Sequence, residues 1–409
     1  GSSGGGSDSG SSAPLFSTGV LDASFGALGV ITTTLGTNDD YGYAMALQTD
    51  GKIVVAGMTD NSINFSFALI RYTSAGALDN TFGTGGVVTT AIGNDSTAMA
   101  IALQTDGRII AAGTSNDGAN DDITLVRYTV TGALDATFGT GGVVTTTVGN
   151  NNDYARAIVL QSDNKIVIAG DSTTGVNSDI VLARYNADGS LDNTFDTDGV
   201  LTTTVTSNND VAFDLAVQPD GRIVVAGYSN NGANFTLVRY NTDGSLDNNF
   251  NTDGVVTTTI GSGGAAMAAV LQPDGKIIAA GGSNNGVNDD FTVARYNTNG
   301  SLDVTFNADG VVTSAFGTAL DYANAVVLQP DGKIIAAGSS DTNNNLALIR
   351  YNSDGSLDTT FGTGGGVNIA AGGGGDIYGI ALQPDNRIVV AGYSYNGSNN
   401  DFAVLRYWR

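Results

Sequence analysis

The chain lacks cysteine and histidine, and a scan of its 409 residues finds no glutamate, so all 40 acidic residues are aspartate. Imidazole and thiolate groups serve many enzymes as nucleophiles, bases and soft metal ligands. Their absence excludes a Ser-His-Asp triad, a cysteine nucleophile, a zinc or copper centre and a haem ligand. A bound metal would be one that prefers oxygen ligands, such as calcium. On this ground the sequence predicts a protein that is not an enzyme and has no cofactor, calcium excepted.

Positive charge is also scarce, because only 16 Lys and Arg oppose the 40 Asp, which gives a formal charge of −24 and a pI near 4.1. Such a surface repels phosphate backbones, so nucleic acid is not an expected partner. No apolar run reaches the roughly 18 residues needed to cross a bilayer, so no transmembrane segment is expected. The lack of disulfides fits a cytosolic protein or a bacterial extracellular one.

A repeat occupies nearly the whole chain. One mark is a Gln before a turn, with spacings of 56, 57, 57, 54, 57 and 54 residues: Gln48, Gln104, Gln161, Gln218, Gln272, Gln329 and Gln383. Another is Arg-Tyr, whose arginines are Arg71, Arg127, Arg184, Arg239, Arg295, Arg350 and Arg406. A third is Leu-Asp-x-x-Phe, which begins at Leu21, Leu78, Leu134, Leu191, Leu246, Leu302 and Leu357.

Each copy is predicted to contain four strands. Asp-Gly turns between apolar runs, as at Asp220-Gly221, favour a hairpin, and the Arg-Tyr run reads as a third strand. The fourth strand is expected at Leu-Asp-x-x-Phe, and the following Val-Val-Thr-Thr run is expected to lead into the next copy. Small residues stand four positions before six of the seven Gln, which favours a crowded axis.

These features predict an all-β, seven-bladed β-propeller with four-stranded blades over residues 21–409. The chain starts with Leu21-Asp22-x-x-Phe25 and ends directly after a third strand at Arg406-Tyr407. We therefore expect the N-terminal strand to complete the last blade and close the ring. Residues 1–20, rich in Gly and Ser, are expected to form a flexible N-terminal tether.

At this level the repeat resembles a known family. Gln218-Pro219-Asp220-Gly221-Arg222, Arg239-Tyr240 and Leu246-Asp247-x-x-Phe250 are similar to the delta-60 repeat of bacterial secreted and surface propellers. The resemblance implies a β-propeller that is extracellular or at the outer-membrane surface of a bacterium. It implies no catalytic residues. The rhythm is also similar to NHL-type propellers, which mostly bind partners.

Carboxylates recur just before the predicted inner strands, so a ring at one end of the channel could hold a hydrated calcium ion; the alternative is that each Asp ends a solvated turn. Its candidate metal ligands are Asp40, Asp153, Asp210 and Asp321, with Asp95 and Asp376 one position away. A second set, in polar loops that could bind glycans or calcium, is Asp122, Asp179, Asp290 and Asp401.

Residues that depart from the repeat are informative. Arg156 and Asp214 fall on the inner strands of adjacent copies, and we expect a structural ion pair between them across one blade interface. The single Trp, Trp408, is expected either to cap the closure or to be an exposed contact residue.

The leading hypothesis is a non-enzymatic cell-surface or secreted scaffold that binds a protein partner or itself, with residues 1–20 as its tether. One alternative is a carbohydrate-binding, lectin-like propeller that takes a glycan. The other is a calcium-dependent hydrolase or lyase that uses the channel carboxylates.

Overall fold

The chain folds into seven four-stranded antiparallel sheets arranged around a channel, in a computed structural model that describes residues 18–173, 175–340, 345–370 and 373–409. These ranges contain 28 strands and no helix. The prediction of an all-β, seven-bladed propeller is confirmed.

Strands are named A to D from the channel outward. The A strands are β2 (Asp40–Leu47), β6 (Asp95–Leu103), β10 (Asp153–Leu160), β14 (Val211–Val217), β18 (Gly264–Leu271), β22 (Tyr322–Leu328) and β26 (Gly375–Leu382). The B strands are β3 (Ile53–Asp60), β7 (Ile109–Asn116), β11 (Ile166–Thr173), β15 (Ile223–Ser229), β19 (Ile277–Asn284), β23 (Ile334–Ser340) and β27 (Ile388–Tyr395).

The C strands are β4 (Phe65–Tyr72), β8 (Asp121–Tyr128), β12 (Ser178–Tyr185), β16 (Asn234–Tyr240), β20 (Asp289–Tyr296), β24 (Asn345–Tyr351) and β28 (Asn400–Tyr407). The D strands are β5 (Val87–Thr90), β9 (Val143–Thr146), β13 (Val200–Thr203), β17 (Val255–Thr258), β21 (Val311–Ser314), β25 (Gly366–Ile369) and β1 (Val30–Thr33). Blades 1 to 6 follow chain order from β2, and blade 7 joins β26, β27 and β28 to β1.

The outer strand differs from the sequence prediction. The D strand is the Val-Val-Thr-Thr run, whereas Leu-Asp-x-x-Phe forms a turn that contributes a single bridge, such as Tyr240↔Leu246. The Asp explains the turn, because the Asp247 carboxylate accepts bonds from the amide of Asn249 and from Arg239. The short D strand still pairs along the C strand, so each blade keeps four strands.

Every A strand carries a β-bulge at the fifth residue before the repeat Gln. In blade 1, Gly42 pairs with Gly57 and Ala44 with Ala56, so Tyr43 has no partner in the ladder. The B-strand residue at this point is Gly in all seven blades. A Cβ on Gly57 would lie 1.8 Å from the carbonyl oxygen of Tyr41, so only Gly fits beside the bulge.

Blades pack on one another through seven apolar clusters, each shared by two neighbouring sheets. The predicted small residues lie where adjacent A strands come close, and Ala157 is 5% exposed there. A Cβ on Gly379 would stand 2.5 Å from Cγ of Met45 in the neighbouring blade. The expectation of a crowded axis is therefore confirmed.

The Arg and Asp of the repeat form a buried ion pair in each blade, with closest N–O distances of 2.6 to 2.8 Å. Each of these guanidinium groups also lies over the Phe of its own Leu-Asp-x-x-Phe, 4.5 to 4.7 Å from the ring centroid. In blade 4, Arg239 donates in addition to the carbonyl oxygen of Thr298 in blade 5. The pair therefore joins the C strand, the turn that follows it and the next blade.

Ring closure occurs as predicted. Leu21 bridges Tyr407, the amide of Asp22 donates to the carbonyl oxygen of Arg406 at 2.8 Å, and β1 pairs antiparallel with β28. Asp22 is the repeat Asp of blade 7, and its carboxylate pairs with Arg406. The tether predicted at residues 1–20 lies mostly outside the described residues, which begin at Thr18.

Candidate functional site

The four predicted metal ligands are buried beneath loops. Asp40, Asp153, Asp210 and Asp321 are each 0% exposed. Their Oδ2 atoms accept bonds of 2.7 to 2.8 Å from the amides of Leu35, Val148, Val205 and Phe316, in the loops that lead from a D strand to the next A strand. None lines either of the two channel cavities described below. Nowhere in the described ranges do three or more acidic side chains gather in a way that could hold a metal ion.

The loop aspartates follow the same interfaces. Each of the four predicted metal ligands, at or just before the start of an A strand, is matched by an Asp near the start of the C strand one blade earlier; the pairs are Asp122 with Asp153, Asp179 with Asp210, Asp290 with Asp321, and Asp401 with Asp40. At these interfaces an Asn of the B–C loop donates to a backbone carbonyl of the next blade, as Asn177 does to Ser207 at 2.7 Å. Asp401 holds its own loop by accepting from Asn396 at 2.8 Å. The paired occurrence therefore reflects two loops that fit each other.

The expected Arg156–Asp214 ion pair is not formed. Arg156 Nε instead donates to Asp171 of its own blade at 2.5 Å. Asp214 accepts from the amide of Ala269, in blade 5, at 2.7 Å. The cause is the β-bulge, because Arg156 is the unpaired residue of its strand whereas Asp214 lies just beyond the bulge of the next one.

We call the end of the channel at which the A strands begin the channel mouth. It comprises three positions in each blade: the bulge residue, which lines the channel in all seven blades, the A-strand residue two positions earlier, and the B-strand residue that pairs with the latter. The seventh residues before the Gln are Tyr41, Thr97, Tyr154, Val211, Ala265, Tyr322 and Asp376. The fifth residues before it, at the bulges, are Tyr43, Met99, Arg156, Phe213, Met267, Asn324 and Tyr378. The tenth residues after it, on the B strands, are Met58, Thr114, Asp171, Tyr228, Gly282, Ser339 and Tyr393.

Aromatic side chains concentrate in the channel mouth. Of the 15 tyrosines, seven belong to the Arg-Tyr repeat and seven lie at mouth positions, which leaves only Tyr395. Phe213 adds an eighth mouth aromatic. The repeat is almost uniform elsewhere, so the mouth is the place where the seven copies differ chemically. Sequence reasoning missed this set, although removing the repeat tyrosines from the sequence would have revealed it.

Four of these tyrosines form a wall contributed by blades 7 and 1. Ring centroids lie 4.8 Å apart for Tyr41 and Tyr393, 5.5 Å for Tyr43 and Tyr378, and 5.8 Å for Tyr41 and Tyr43. Edge-to-face and offset contacts of this kind are the favourable arrangements of aromatic rings. Burial raises the pKa of Tyr393 to about 12, so its hydroxyl stays neutral and can donate a hydrogen bond.

Asp376 lies beside this wall. Its Oδ1 accepts bonds from Asn324 Nδ2 at 2.8 Å and from the amide of Ile377 at 2.9 Å. Burial raises the pKa of Asp376 to about 7, although these hydrogen bonds act in the opposite direction. Among the six carboxylates that precede the predicted inner strands in the sequence, Asp376 is the one that lines a cavity of the mouth.

The opposite side of the mouth carries the neutralised pair of Arg156 and Asp171. The Arg156 guanidinium lies 5.3 Å from the ring centroids of both Tyr154 and Phe213. Because Asp171 is 3% exposed, the ion pair is partly withdrawn from water. This side therefore offers aromatic faces and guanidinium N–H groups with little net charge.

Two cavities occupy the mouth and the channel. The larger, about 770 Å³, is lined by residues that include Tyr228, Asp289 and Tyr322. The smaller, about 450 Å³, extends along the A strands of all seven blades. Both have Met267, Asn324 and Tyr378 in their walls, so they adjoin each other. Volumes of this size are typical of sites for small organic ligands.

A glycine shapes the larger cavity. A Cβ on Gly282 would lie 2.5 Å from Cδ1 of Tyr322, so the Tyr322 ring can rest against β19 only because this residue has no side chain. The Tyr322 hydroxyl donates to Asp289 across the same interface.

No helix in the described ranges combines the length and apolar character that a membrane crossing requires.

Structural comparison finds similar propellers with little sequence identity. A catalytically inactive variant of virginiamycin B lyase from Staphylococcus aureus, solved with quinupristin, has a TM-score of 0.54 at 12% identity, covering 92% of this chain and 98% of that one. A streptogramin B lyase has a TM-score of 0.50 at 12% identity, with coverage of 92% and 97%. Sqt1 from Chaetomium thermophilum, bound to the N-terminus of ribosomal protein L10, has a TM-score of 0.51 at 13% identity, with coverage of 92% and 98%. Identity at this level shows a shared fold alone.

These structures correct one prediction. The missing side chains led us to expect that the protein is not an enzyme, but that expectation is wrong as an exclusion, because lyases are among the proteins with this fold. Fold and function are separable, and catalysis depends on the residues placed on the fold. The lack of these side chains therefore does not exclude an enzymatic activity of this chain.

Sequence comparison identifies the repeat. No curated protein sequence matches the chain. The family model described as "Domain of unknown function (DUF5122) beta-propeller" matches residues 48–82, 104–138, 161–195, 218–250, 272–306, 329–361 and 383–409, together more than half of the chain. The resemblance to a propeller repeat of bacterial proteins thus holds at the level of a β-propeller repeat family, and the chain belongs to the DUF5122 β-propeller family.

Proposed function

We propose that this propeller binds a carbohydrate chain in the channel mouth. The observation that carries the proposal is the placement of all but one of the non-repeat tyrosines at the mouth, where four of them line two adjoining cavities. A structural role alone would distribute aromatics evenly around the ring, because the seven blades pack in the same way. Their concentration on one surface supports a ligand site.

The chemistry of the mouth suits a sugar. A pyranose ring has an apolar C–H face and an edge of hydroxyl groups, so it needs a flat aromatic surface beside hydrogen-bonding groups. Tyrosine offers both in one side chain. Around the wall, Asn324 and Asp376 offer amide and carboxyl groups, and Arg156 offers N–H donors on the far side. These groups can contact hydroxyls on both edges of a ring stacked in the mouth.

The cellular setting is part of the same proposal. An acidic, cysteine-free chain suits a bacterial extracellular space or outer-membrane surface. The Gly- and Ser-rich residues that precede Thr18 would tether the propeller and present the mouth to glycans or to a protein partner. The sequence resemblance to surface propellers supports this placement.

A glycan array followed by isothermal titration calorimetry tests the proposal. We expect the intact protein to bind one class of saccharide, and Tyr378→Ala to weaken that binding at least tenfold, because Tyr378 lines both cavities and the variant loses that stacking face. Tyr395→Ala is the matched control, since Tyr395 is the tyrosine outside both the repeat and the mouth. If the folded protein ignores every saccharide, or if both variants bind like the parent, the carbohydrate proposal fails.

A further inference from the structure

The larger cavity is negatively charged. Asp376 and Asp289 both line it, and no Lys or Arg is among the described residues of its wall. The repeat accounts for 14 of the 16 Lys and Arg, which leaves Arg156 and Arg409. Arg156 pairs with Asp171, and Arg409 pairs with Asp331 in a turn of blade 6. A positive group that balances Asp376 therefore has to come with the ligand.

Aromatic rings stand beside the same carboxylate. Tyr378 lines both cavities, and its ring centroid is 6.2 Å from that of Tyr393 and 5.5 Å from that of Tyr43. The negative face of an aromatic ring attracts an ammonium group, and the attraction increases when water is excluded. A carboxylate next to tyrosine faces is a combination that recognises an amine.

We propose that the channel mouth selects a saccharide with free amino groups, a de-N-acetylated hexosamine chain, whose ammonium group binds between Asp376 and the tyrosine wall. This inference rests on the carbohydrate site proposed above and specifies its ligand class. Asp289, in the wall of the same cavity, offers a second carboxylate to the next residue of the chain. Uronate and sulfated chains are excluded because they would place like charges together.

The electrostatics of Asp376 support this ligand. An ionised carboxylate in a water-poor cavity is costly unless a counter-charge accompanies it. Burial is the main reason that the pKa of Asp376 lies above its usual range, and an ammonium group bound beside it would favour the ionised carboxylate. The net charge of −24 also draws cationic chains toward the protein at low salt.

The test is calorimetric titration of the intact protein with three hexamers of equal length: glucosamine, N-acetylglucosamine and glucose. We expect the glucosamine hexamer to bind at least tenfold more tightly than the other two. The preference should fall as salt is raised, because a charge interaction is screened. The salt series uses the unaltered protein, so its result stays interpretable even if a substitution disturbs folding.

Variants locate the effect. Asp376→Asn should remove most of the preference for glucosamine and keep the weaker binding of the neutral hexamers. Asp274→Asn, in an exposed turn where the Asp274 side chain is 58% exposed, makes the same change in net charge and should keep the preference. Equal binding of the three hexamers, or a full preference in Asp376→Asn, overturns this inference and leaves the carbohydrate site intact. Failure of all three hexamers to bind, when a glycan array finds another saccharide, also overturns it, whereas silence on the array overturns both.

Discussion

The carbonyl oxygen of Trp408 accepts a hydrogen bond of 2.8 Å from the amide of Gly19, and the amide of Trp408 donates to Val20 at 2.9 Å. The C–D turn of blade 4 has the same pattern, in which Gly244 donates to Asn241 at 3.1 Å and Asn241 donates to Ser245 at 2.7 Å. Trp408, Arg409, Thr18, Gly19 and Val20 thus occupy the five positions of a repeat turn that lacks one peptide bond. The Arg387 guanidinium covers the Trp408 ring at 4.4 Å.

This relationship predicts a circular permutant without any linker. A chain that runs from Asp243 to Arg409, continues directly with Thr18 and ends at Thr242 restores the complete turn and opens the equivalent one. We expect it to fold and to melt within a few degrees of the parent, because all 28 strands keep their partners. Differential scanning calorimetry measures the melting temperature.

The control opens the same joined chain inside β15, between Val225 and Ala226, where both residues are buried. That permutant should lose much of its stability because the cut divides a central strand. If the turn-opened permutant unfolds as readily as the strand-opened one, residues 408–409 and 18–20 do not form a repeat turn.

The buried ion pairs predict a large cost for Asp247→Asn. Asp247 is 1% exposed and accepts from Arg239 Nε at 2.8 Å, so the substitution leaves a buried guanidinium without its counter-charge. Breaking such a pair costs about 3–5 kcal/mol. Urea denaturation should show a loss of this size in the free energy of unfolding.

Asp220→Asn is the matched control for Asp247→Asn. Asp220 pairs with Arg222, which also contacts Asp247, but the Asp220 side chain is 51% exposed. An exposed pair contributes about 0–1 kcal/mol. Equal losses in the two variants would contradict the structural role assigned to the buried pair.

The D strand of blade 6 lacks the hydroxyl group that pairs with the repeat Tyr at other blade interfaces, and this predicts a stabilising substitution. Tyr185 of the Arg-Tyr repeat bonds Thr146 of the preceding D strand at 2.9 Å, but Ile369 stands at that position opposite Tyr407. Among the described residues the buried Tyr407 hydroxyl has no hydrogen-bond partner. Ile369→Thr should stabilise the fold by about 0.5–1 kcal/mol, since an unmet buried polar group is unfavourable.

Thermal denaturation checks Ile369→Thr against its reverse, Thr146→Ile, which should destabilise blade 2 and its neighbour by about 1–2 kcal/mol. A melting temperature that falls in Ile369→Thr would show that the aliphatic packing of Ile369 outweighs the hydroxyl pair.

Channel carboxylates predict a rise in stability toward acid. Burial raises the pKa of Asp376 to about 7 and that of Asp214 to about 6, above the usual aspartate value of 3.8. Between about pH 4 and 7 the folded state therefore binds more protons than the unfolded state, so these groups lose stability as pH rises. Asp376→Asn should raise the melting temperature at pH 8 and leave it nearly unchanged at pH 4. A shift of equal size at both pH values would contradict this protonation difference.

The contribution of the repeat aspartates to stability changes with pH in the opposite direction. Burial alone would raise the pKa of Asp247, but its bonds to Asn249 and the Arg239 charge outweigh burial and hold the pKa below its usual range. Their contribution is present above about pH 4 and is lost as pH falls below it. Both the parent and Asp376→Asn lose the contribution of the repeat aspartates at low pH. The difference in melting temperature between the two proteins at each pH therefore reports the effect of Asp376 alone.

Much of the architecture was predictable from the sequence because it repeats. The spacing of Gln218, Gln272 and the other anchors predicts the blade count, and Leu21 and Arg406 predict the closure. The D strand was misplaced because Leu-Asp-x-x-Phe is apolar at both ends, whereas the Asp capping bonds that make it a turn depend on the neighbouring Arg.

The candidate site was harder to predict. A period-2 pattern on an A strand assigns each residue to one face, but the bulge shifts that assignment at Arg156 and separates it from Asp214. Asp40 was expected at one end of the channel because it comes just before an inner strand, but it lies beneath a loop. The mouth tyrosines come from different blades, and only the ring geometry brings them together.

The bulges bear on how such a protein can change. Tyr43, Met99, Phe213 and Asn324 differ widely in size and polarity, and each occupies a residue that the sheet ladder skips. Since these residues have no paired partner in the ladder, their side chains can be exchanged without shifting the register of the strands around them. The ring thus offers seven independently replaceable inward positions on a constant frame, so relatives built on one scaffold could acquire new binding preferences through single substitutions.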